Sequence, residues 1–457
     1  MQIAKPVRQK PFFIAPKVDR RVELLSIVAR LAEFEEYSGN DFKLYVDEVN
    51  RHFAKYKQHA VVQQMLKVRQ QNGVGFDAVM NMAVHLSPPP ELAPRVAFTD
   101  KIPDRRWGKA DAEEFTRLLR QFYKDADCEN FFKAHSELYN TAEQRFQQLL
   151  NKVDFDWYKR FYGEVPGGTF NLYIGLLNGG GNYGPKVVHP KGEEDLYAII
   201  GTWQMDKEGM PLYNERLLST IIHEFNHSFI NHLVYANEAA LKNAGEKIYP
   251  PVREKMQKLA YGNWQVMMLE SLVRAAVARY LFEHEQESAN KEVIQQRNIG
   301  FLWMSELFAL LGAYENNRAS YPTFRSFMPM VIGYFNDYAK RITLDAKNFE
   351  DLTPRVASLA PFANGAQDVD PTITRLTFTF DKPLDPKGGV SINFGEGGRE
   401  HFPITKVVGY NETGTTFTVE MQLKPDWQYE FALTGIAFKT RDGYPLQPYT
   451  VKFKTRK

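Results

Sequence analysis

Cysteine is nearly absent from this chain, since Cys128 is the only one among 457 residues. One cysteine cannot form an internal disulfide, which excludes a disulfide-stapled secreted scaffold and every zinc motif built on several cysteines. Cys128 stands in the segment DADCENFF, where nothing else points to a nucleophile. The sequence therefore favours a structural role for this thiol.

Long apolar and long basic runs are also missing. No apolar run in the sequence reaches the roughly 20 residues of a membrane-spanning helix, so we expect no transmembrane segment. The formal net charge is +2, which gives no support for nucleic acid or a membrane surface as the main partner. The N-terminal segment MQIAKPVRQKPFFIAPK lacks the apolar core of a signal peptide. We expect either a cytoplasmic protein or an exported one (periplasmic, cell-surface or secreted) in mature form, and a monomer.

The remaining composition is that of an ordered globular protein, with 44% hydrophobic and 14% aromatic residues. A chain of 457 residues exceeds one compact core, so two or three domains are expected. The changing periodicity predicts an α+β fold with a mostly helical first domain, a small β-sheet and an all-β tail. The predicted parts are an N-terminal extension (1–19), a first domain (20–345, helical over 20–165 and mixed over 166–345), a linker (346–370) and a β domain (371–457).

Local sequence patterns are the basis for this division into domains. The segment VELLSIVARLAEFEEY has apolar residues at near-helical spacing, whereas GTFNLYIGLL and LYAIIGTW are short β-type runs. In RLTFTF, Leu376, Phe378 and Phe380 alternate with polar residues, which predicts a strand with one buried face. Turn residues recur about every ten positions in this tail, as in a small β-sandwich.

The segment HEFNH holds His223, Glu224 and His227. Histidines four residues apart on a helix lie one turn above each other on the same face, so their rings can converge on one metal ion. Zinc is bound by such nitrogen ligands, and catalysis needs one open coordination position. Glu224 would lie beside that face, where it can take a proton from a water that the metal activates.

The residues around the motif favour a helix with two distinct faces. Leu218, Ile222, Phe225 and Phe229 repeat at i, i+4, i+7 and i+11 and form an apolar stripe. At 100° per residue the two histidines fall about 140–180° from that stripe. The stripe can pack on a core while the histidines face a cleft. The alternative is a chance histidine pair on a surface helix.

His232 is the first candidate for a third ligand. A longer zinc-protease motif, His-Glu-x-x-His-x-x-Gly-x-x-His, would need glycine at the position of Ile230 and histidine at that of Leu233. His232 comes one residue early, and no glycine turns the chain back to the metal. A polar residue at the helix end is the better interpretation.

The second solution is a glutamate further along the chain. The candidates are Glu238, Glu246, Glu254 and Glu270. Glu238 would point along the helix axis, and Glu246 and Glu254 lie in polar sequence that prolines interrupt. Glu270 stands in GNWQVMMLESLVRAAVARYLF, a helix that is apolar nearly all round and therefore buried. A buried carboxylate needs a partner, which could be zinc, Arg274 at i+4, or both, with Arg274 orienting the ligand.

HEFNH followed by LESLVRA resembles the gluzincin class of zinc metallopeptidases. Residues 20 to about 345 resemble a domain-of-unknown-function family of exported Bacteroidetes proteins in VELLSIVARLAEF, HEFNHSF and ESLVRA. The tail, with PFANGAQDVDP and LTFTFDKPLD, is similar to bacterial Ig-like modules. The usual gluzincin motif Asn-Glu-x-x-x-Asp is absent, because Leu269 precedes Glu270 and Arg274 replaces the aspartate.

The resemblance implies a zincin-like first domain, an Ig-like sandwich and a peptide or protein substrate. One Zn²⁺ would be held by His223, His227 and Glu270, with Glu224 as general base. Such enzymes usually add a Tyr or His that stabilises the oxyanion, and Tyr261, Tyr280 and His284 are available. LYAIIGTW or NYGPKVV would be the edge strand that binds extended peptide.

Two other functions stay open beside a zinc peptidase: an inactive zinc-binding surface protein, and a zinc hydrolase of another amide or peptidoglycan bond. A nucleotide site is not expected. GGGNYG, at 179–184, matches G-x-G-x-x-G formally, but Pro185 and a β-type run follow where a helix should begin. We interpret this segment as a loop that could rim the cleft.

Overall fold

The computed structural model describes residues 15–164 and 168–457. The fold is α+β, with about 50% helix and several small sheets. The helices are α1 (Arg20–Leu31), α2 (Lys43–Phe53), α3 (Ala60–Asn72), α4 (Asp77–His85), α5 (Lys109–Asp125), α6 (Cys128–Ala134), α7 (Ser136–Leu150), α8 (Phe155–Tyr162), α9 (Arg216–Ala236), α10 (Glu238–Lys258), α11 (Trp264–His284), α12 (Gln286–Ile299), α13 (Met304–Asn316), α14 (Phe324–Tyr338) and α15 (Ile342–Leu352).

The strands form three small sheets within the described residues. They are β1 (Lys17–Val18), β2 (Gly168–Gly175), β3 (Lys186–Val188), β4 (Glu194–Gly201), β5 (Val356–Ala360), β6 (Arg375–Phe380), β7 (Ile392–Phe394), β8 (Ile404–Tyr410), β9 (Thr416–Met421), β10 (Gln428–Leu433) and β11 (Tyr449–Lys454). None of the helices in the described ranges combines the length and hydropathy that a bilayer span requires.

Residue contacts divide the chain into two compact units. The first contains the described part of Met1–Ala236 together with Tyr314–Met328, and the second contains Asn237–Ala313 together with Pro329–Lys457. The HEFNH helix belongs to the first unit. The helix that carries Glu270 and the β-rich C-terminal region belong to the second.

The first unit is built around one four-stranded sheet in the order β1-β2-β4-β3. The pairs β1–β2 and β2–β4 are parallel, whereas β3 runs antiparallel to β4 at the end of the sheet. The central strands are apolar, and Ala198, Ile199 and Ile200 of β4 are fully buried. Strands of a parallel sheet that is covered on both faces typically have such a continuous apolar sequence. GTFNLYIGLL and LYAIIGTW are therefore strands, as predicted.

The C-terminal β region of the second unit contains two antiparallel sheets, β5-β6-β9-β8 and β11-β10-β7. Leu376, Phe378 and Phe380 of β6 are at most 5% exposed. They join one hydrophobic cluster with side chains from both sheets, Phe417 and Phe431 among them. This confirms the alternation predicted for RLTFTF and a β-rich tail.

Several boundaries differ in detail from the predicted patterns. Lys17–Val18, inside the predicted extension, form β1, and Val356–Ala360, inside the predicted linker, form β5. Helix α10 continues through Pro250 and Pro251, although proline is unfavourable inside a helix. The buried residues Ile248, Tyr249 and Val252 hold this stretch by tertiary packing. The extension up to residue 14 and the boundary at 165–166 lie outside the described residues.

Candidate metal centre

Helix α9 presents an apolar face to the core of the first unit. Ile222, Phe225 and Phe229 are at most 2% exposed. The Phe225 ring lies 4.3 Å from that of Phe170 on β2, and the Phe229 ring lies 4.4 Å from that of Tyr162 on α8. The predicted stripe therefore packs as expected at these three positions. His223, Glu224 and His227 project from other faces of the helix and are half-buried.

The two histidines of the motif meet at one point. Nε2 of His223 and Nε2 of His227 are 3.1 Å apart, and the rings lie edge to face with centroids 4.8 Å apart. Nδ1 of His227 contacts Oδ1 of Asn231 at 3.0 Å. A carboxamide oxygen only accepts, so Nδ1 carries the proton and donates it. The lone pair of His227 is thereby left on Nε2, the atom that faces His223.

This pair meets the distance requirement of zinc. Two nitrogens bound to one tetrahedral zinc at about 2.0–2.1 Å are separated by roughly 3.3 Å, and the observed separation is 3.1 Å. The second nitrogen of a metal-bound histidine normally donates to a fixed oxygen, as Nδ1 of His227 does to Asn231. The donor set thus fits zinc at two positions without moving the helix.

The Glu224 carboxylate lies beside the GGGNYG loop. A Cβ added to Gly184 would stand 3.2 Å from Oε2 of Glu224, so the backbone of the loop passes directly over this carboxylate. Gly184 adjoins β3, and Tyr183 exchanges two backbone hydrogen bonds with Ile199 of β4. GGGNYG therefore leads into the edge of the sheet, and its last glycine lies against the motif.

Glu270, on α11 in the second unit, is 7% exposed. The hydroxyl of Tyr261 donates to its Oε2 at 2.9 Å, and Nε of Arg274 lies 3.2 Å from the same oxygen. Arg274 also donates through Nη2 to the Tyr261 hydroxyl at 2.5 Å. Burial and then the Glu270 carboxylate hold the pKa of Tyr261 well above its usual range, so its hydroxyl stays a donor. Arg274 and Tyr261 together fix the Glu270 side chain.

Ligand atoms of His223, His227 and Glu270 lie within 4.8 Å of one another. Among the described residues this is a group of histidine and carboxylate side chains that could hold a metal ion. It contains the three residues that the sequence singled out as ligands.

The three oxyanion candidates differ in their distance from Glu270. Tyr261 contacts Glu270 directly. Tyr280 and His284 lie ten and fourteen residues beyond it on α11, which at 1.5 Å per residue is about 15 and 21 Å along the helix. Their rings stack on each other at 4.2 Å. Of the three, only Tyr261 lies beside Glu270.

The glutamates and the histidine that the sequence set aside have other surroundings. Nε2 of His232 accepts from Nη2 of Arg325 at 3.1 Å. Burial and then Arg325 lower the pKa of His232, so it stays neutral at physiological pH. Glu238, Glu246 and Glu254 are exposed along α10. These contacts agree with interpreting His232 as a polar residue near the helix end.

Asn231 is the residue near the motif that sequence reasoning missed. Its signal is visible in retrospect, since it follows His227 by four residues and must share its helix face. We expect Asn231→Leu, which removes the acceptor for Nδ1 of His227, to weaken zinc binding by about tenfold or more. Competition with a chromophoric chelator measures this change. Ser228→Ala, on the same helix, is the control, and equal zinc affinity in both variants would contradict the assigned role.

The fold and the site define a protein with a His-His-Glu group and a β-rich C-terminal region. The chain belongs to the family described as a domain of unknown function, DUF4932, whose family model matches residues 14–334. The C-terminal β region lies beyond the matched residues. No curated protein matches the sequence.

Three solved structures illustrate the structural comparisons. CopC from Methylosinus trichosporium OB3b is 12% identical with a TM-score of 0.18, over 22% of this chain and 93% of that one. Domains 1–6 of the surface layer protein SbsC are 21% identical with a TM-score of 0.18, over 52% of this chain and 33% of that one. The N-terminal part of bacterial SbsC is 17% identical with a TM-score of 0.17, over 56% and 61%. Likenesses at such scores carry no argument about fold or function.

Proposed function

We propose that this protein is a zinc-dependent metallopeptidase. One observation carries the proposal: the Nε2 atoms of His223 and His227 stand 3.1 Å apart, on the helix that also bears Glu224. His223, His227 and Glu270 would hold the ion. Zinc, when bound, supplies a Lewis acid that polarises the scissile carbonyl and makes a water molecule acidic enough to attack at neutral pH.

Glu224 is the general base of the proposed reaction. A carboxylate next to the first ligand can accept a proton from the attacking water and return it to the leaving amine. Tyr261 and Arg274 act through Glu270: the hydroxyl and the guanidinium contact its Oε2 and keep the ligand in one rotamer. Of the three oxyanion candidates, Tyr261 is the one that lies beside Glu270, and its hydroxyl would have to leave Oε2 to donate to an oxyanion.

The sheet edge favours a peptide over other amides. β4 is internal and β3 ends the sheet opposite β1, so within the described ranges NYGPKVV rather than LYAIIGTW offers an edge to which no further strand is paired. Tyr183, Pro185 and Val187 pair with β4. In an antiparallel ladder the residues between them, Gly184 and Lys186, direct their N–H and C=O groups away from β4. An extended peptide can add to this edge directly over Glu224.

A zinc-binding protein without peptidase activity is the second candidate. It is favoured by Oε2 of Glu270, which already contacts both Tyr261 and Arg274. Arg274 places a cation where the gluzincin motif has a carboxylate. A ligand oxygen that faces a cation is a weaker donor to a metal, so this site departs from the outer shell of a gluzincin peptidase.

Two further expectations belong to this proposal. The two antiparallel sheets that share one core support an Ig-like sandwich for the C-terminal region. Such a module suits an exported protein in the periplasm or at the cell surface. The substrate is then a peptide or protein outside the cytoplasm.

Zinc content and cleavage test the proposal together. We expect about one zinc per purified chain, and hydrolysis of a mixed-sequence peptide library that a chelator stops and zinc restores. A peptidoglycan digest is assayed in parallel. Cleavage of the digest alone would move the assignment to another amide bond, and zinc binding without any cleavage would favour the second candidate. If the protein binds no zinc even when zinc is supplied during purification, both candidate functions are refuted.

A further inference from the structure

The last turn of α12 holds the Arg274 side chain. Oε1 of Gln296 accepts from Nη1 of Arg274 at 2.9 Å, and Nε2 of Gln296 donates to Oε1 of Glu292 at 2.6 Å. Gln296 is 3% exposed, so its amide is buried between these two partly buried side chains. The ring of Phe301, just beyond this turn, lies 5.2 Å from the Arg274 guanidinium. Arg274 is thus fixed on the side that does not face Glu270.

The same turn holds the C-terminal β region. Nδ2 of Asn298 donates to the carbonyl of Gly443 at 2.8 Å, and Nη2 of Arg297 donates to the carbonyl of Asp442 at 3.1 Å. The Arg297 guanidinium lies 4.3 Å from the centre of the Tyr444 ring. Gln296 therefore contacts Arg274, and the next two residues of α12, Arg297 and Asn298, contact a turn of the β region.

Gly443 makes this close approach possible. It adopts a φ of 76°, and a Cβ at this position would stand 2.8 Å from Cγ2 of Ile294 on α12. A side chain at this position is unfavourable for two reasons: the backbone is left-handed, and Ile294 of α12 occupies the space. The turn is shaped to lie against α12, which distinguishes it from a loop that merely passes nearby.

We propose that the C-terminal β region positions the metal ligand Glu270, through Gln296 and Asn298 on α12 and through Arg274. The inference rests on the proposed function. Groups behind a ligand set its orientation, and their loss weakens metal binding although the ligand remains. The β region, which lies beyond the family match, thereby becomes a working part of the metal centre. Gln296 and Asn298 are positioning residues, since neither touches the ion.

Gly443→Ala and Gly365→Ala form a matched pair for the test. Gly365 also lies in the β region with a positive φ of 87°, but nothing lies within 4 Å of an added Cβ. Both variants place a side chain on a backbone with positive φ, and only the first pushes the turn away from α12. We expect the zinc dissociation constant of Gly443→Ala to rise by about tenfold, with faster hydrogen exchange in α12, and that of Gly365→Ala to stay at the wild-type value. Faster exchange in α12 with unchanged zinc affinity would overturn the coupling.

The Gln296 link is tested by removal and rescue. Gln296→Leu removes the acceptor for Arg274, and we expect zinc affinity to fall. Gln296→Glu combined with Glu292→Gln exchanges the two groups, so an oxygen again faces Arg274 and an amide faces the new carboxylate. Affinity restored by this exchange supports positioning, because a loss of helix packing alone would not be rescued. Equal affinity in all three proteins would contradict the link.

Failure of the inference can be told apart from failure of the proposed function. If the wild type binds no zinc, the proposed function fails, and hydrogen exchange near Glu270 on α11 still reports the coupling. Faster exchange there in Gly443→Ala than in Gly365→Ala then supports it, and identical exchange refutes it. Should Gly443→Ala not fold, Asn298→Ala removes the bond to Gly443 without a clash and gives the same two readouts.

Discussion

Glu224→Gln is expected to abolish peptide hydrolysis while leaving zinc bound. The amide keeps the size of the side chain but cannot accept a proton from the attacking water. Loss of a general base costs about 10²–10⁴-fold in rate. Because Glu224 is not among the ligand group of His223, His227 and Glu270, we expect zinc stoichiometry and affinity to stay within about twofold of the wild type, a far smaller change than ligand or outer-shell loss gives.

Initial rates on a cleaved library peptide, measured beside zinc content, test this expectation. Glu246→Gln is the matched control, since Glu246 is an exposed residue of α10 whose ion-pair partner, Lys242, lies 3.9 Å away. It should retain the wild-type rate. Full activity in Glu224→Gln would remove Glu224 from the mechanism. Zinc lost from this variant would instead mean that Glu224 is itself a ligand.

The motif helix could be predicted because its information is local. The spacing of Ile222, Phe225 and Phe229 determines which face packs on the core, and the same 100° step places His223 and His227 on another face. The alternation of Leu376, Phe378 and Phe380 is local in the same sense. Patterns that depend on helix or strand period alone were therefore reliable.

Contacts between distant segments could not be predicted in this way. Gly184 reaches Glu224 only because Tyr183 pairs with Ile199, and nothing in the order of residues specifies that register. For the same reason the sequence leaves two segments, LYAIIGTW and NYGPKVV, as candidates for the edge strand that would bind peptide. Choosing between them required the sheet order, in which β4 has neighbours on both sides and β3 has one.

Two further surprises show tertiary packing overriding local rules. Pro250 and Pro251 argue against a helix, yet α10 continues through them because the residues on either side are buried. Lys17–Val18 carry no strand signal of their own, but they pair in parallel with Tyr173–Ile174 of β2. Both segments acquire their structure from the neighbours they pack against.

The polar side chains around Glu270 could be predicted from the sequence only in part. The pairing of Glu270 with Arg274 follows from their i, i+4 spacing on one helix. The Tyr261 hydroxyl, which donates to Glu270, comes from the turn before α11, and Gln296, which holds Arg274, comes from the next helix. Glu270 and its neighbour Arg274 can be named from the sequence as one pair, but the contacts that Tyr261 and Gln296 make with them cannot.

His227→Ala is expected to remove zinc almost completely, which is the largest effect on metal binding that we predict. Its Nε2 stands 3.1 Å from that of His223, so the variant loses one of two nitrogens that converge on the ion. Losing a group behind a ligand weakens binding about 10–100-fold, and losing the ligand itself should exceed that range. At 100 times the dissociation constant, bound zinc stabilises the wild type by about 2.7 kcal/mol, and this stabilisation should disappear.

Metal analysis after dialysis, and thermal unfolding with and without added zinc, measure both effects. His232→Ala is the matched control on the same helix, because the Nε2 of His232 faces Arg325 instead of the other histidines. It should keep its zinc and its zinc-dependent stabilisation. Glu270→Gln separates the remaining possibilities: zinc weakened in this variant supports Glu270 as the third ligand, whereas zinc retained at full affinity would leave the histidine pair in place and require another third ligand. Retention of zinc by His227→Ala together with its loss from His232→Ala would reverse the assignment of the two histidines and refute the HEFNH site.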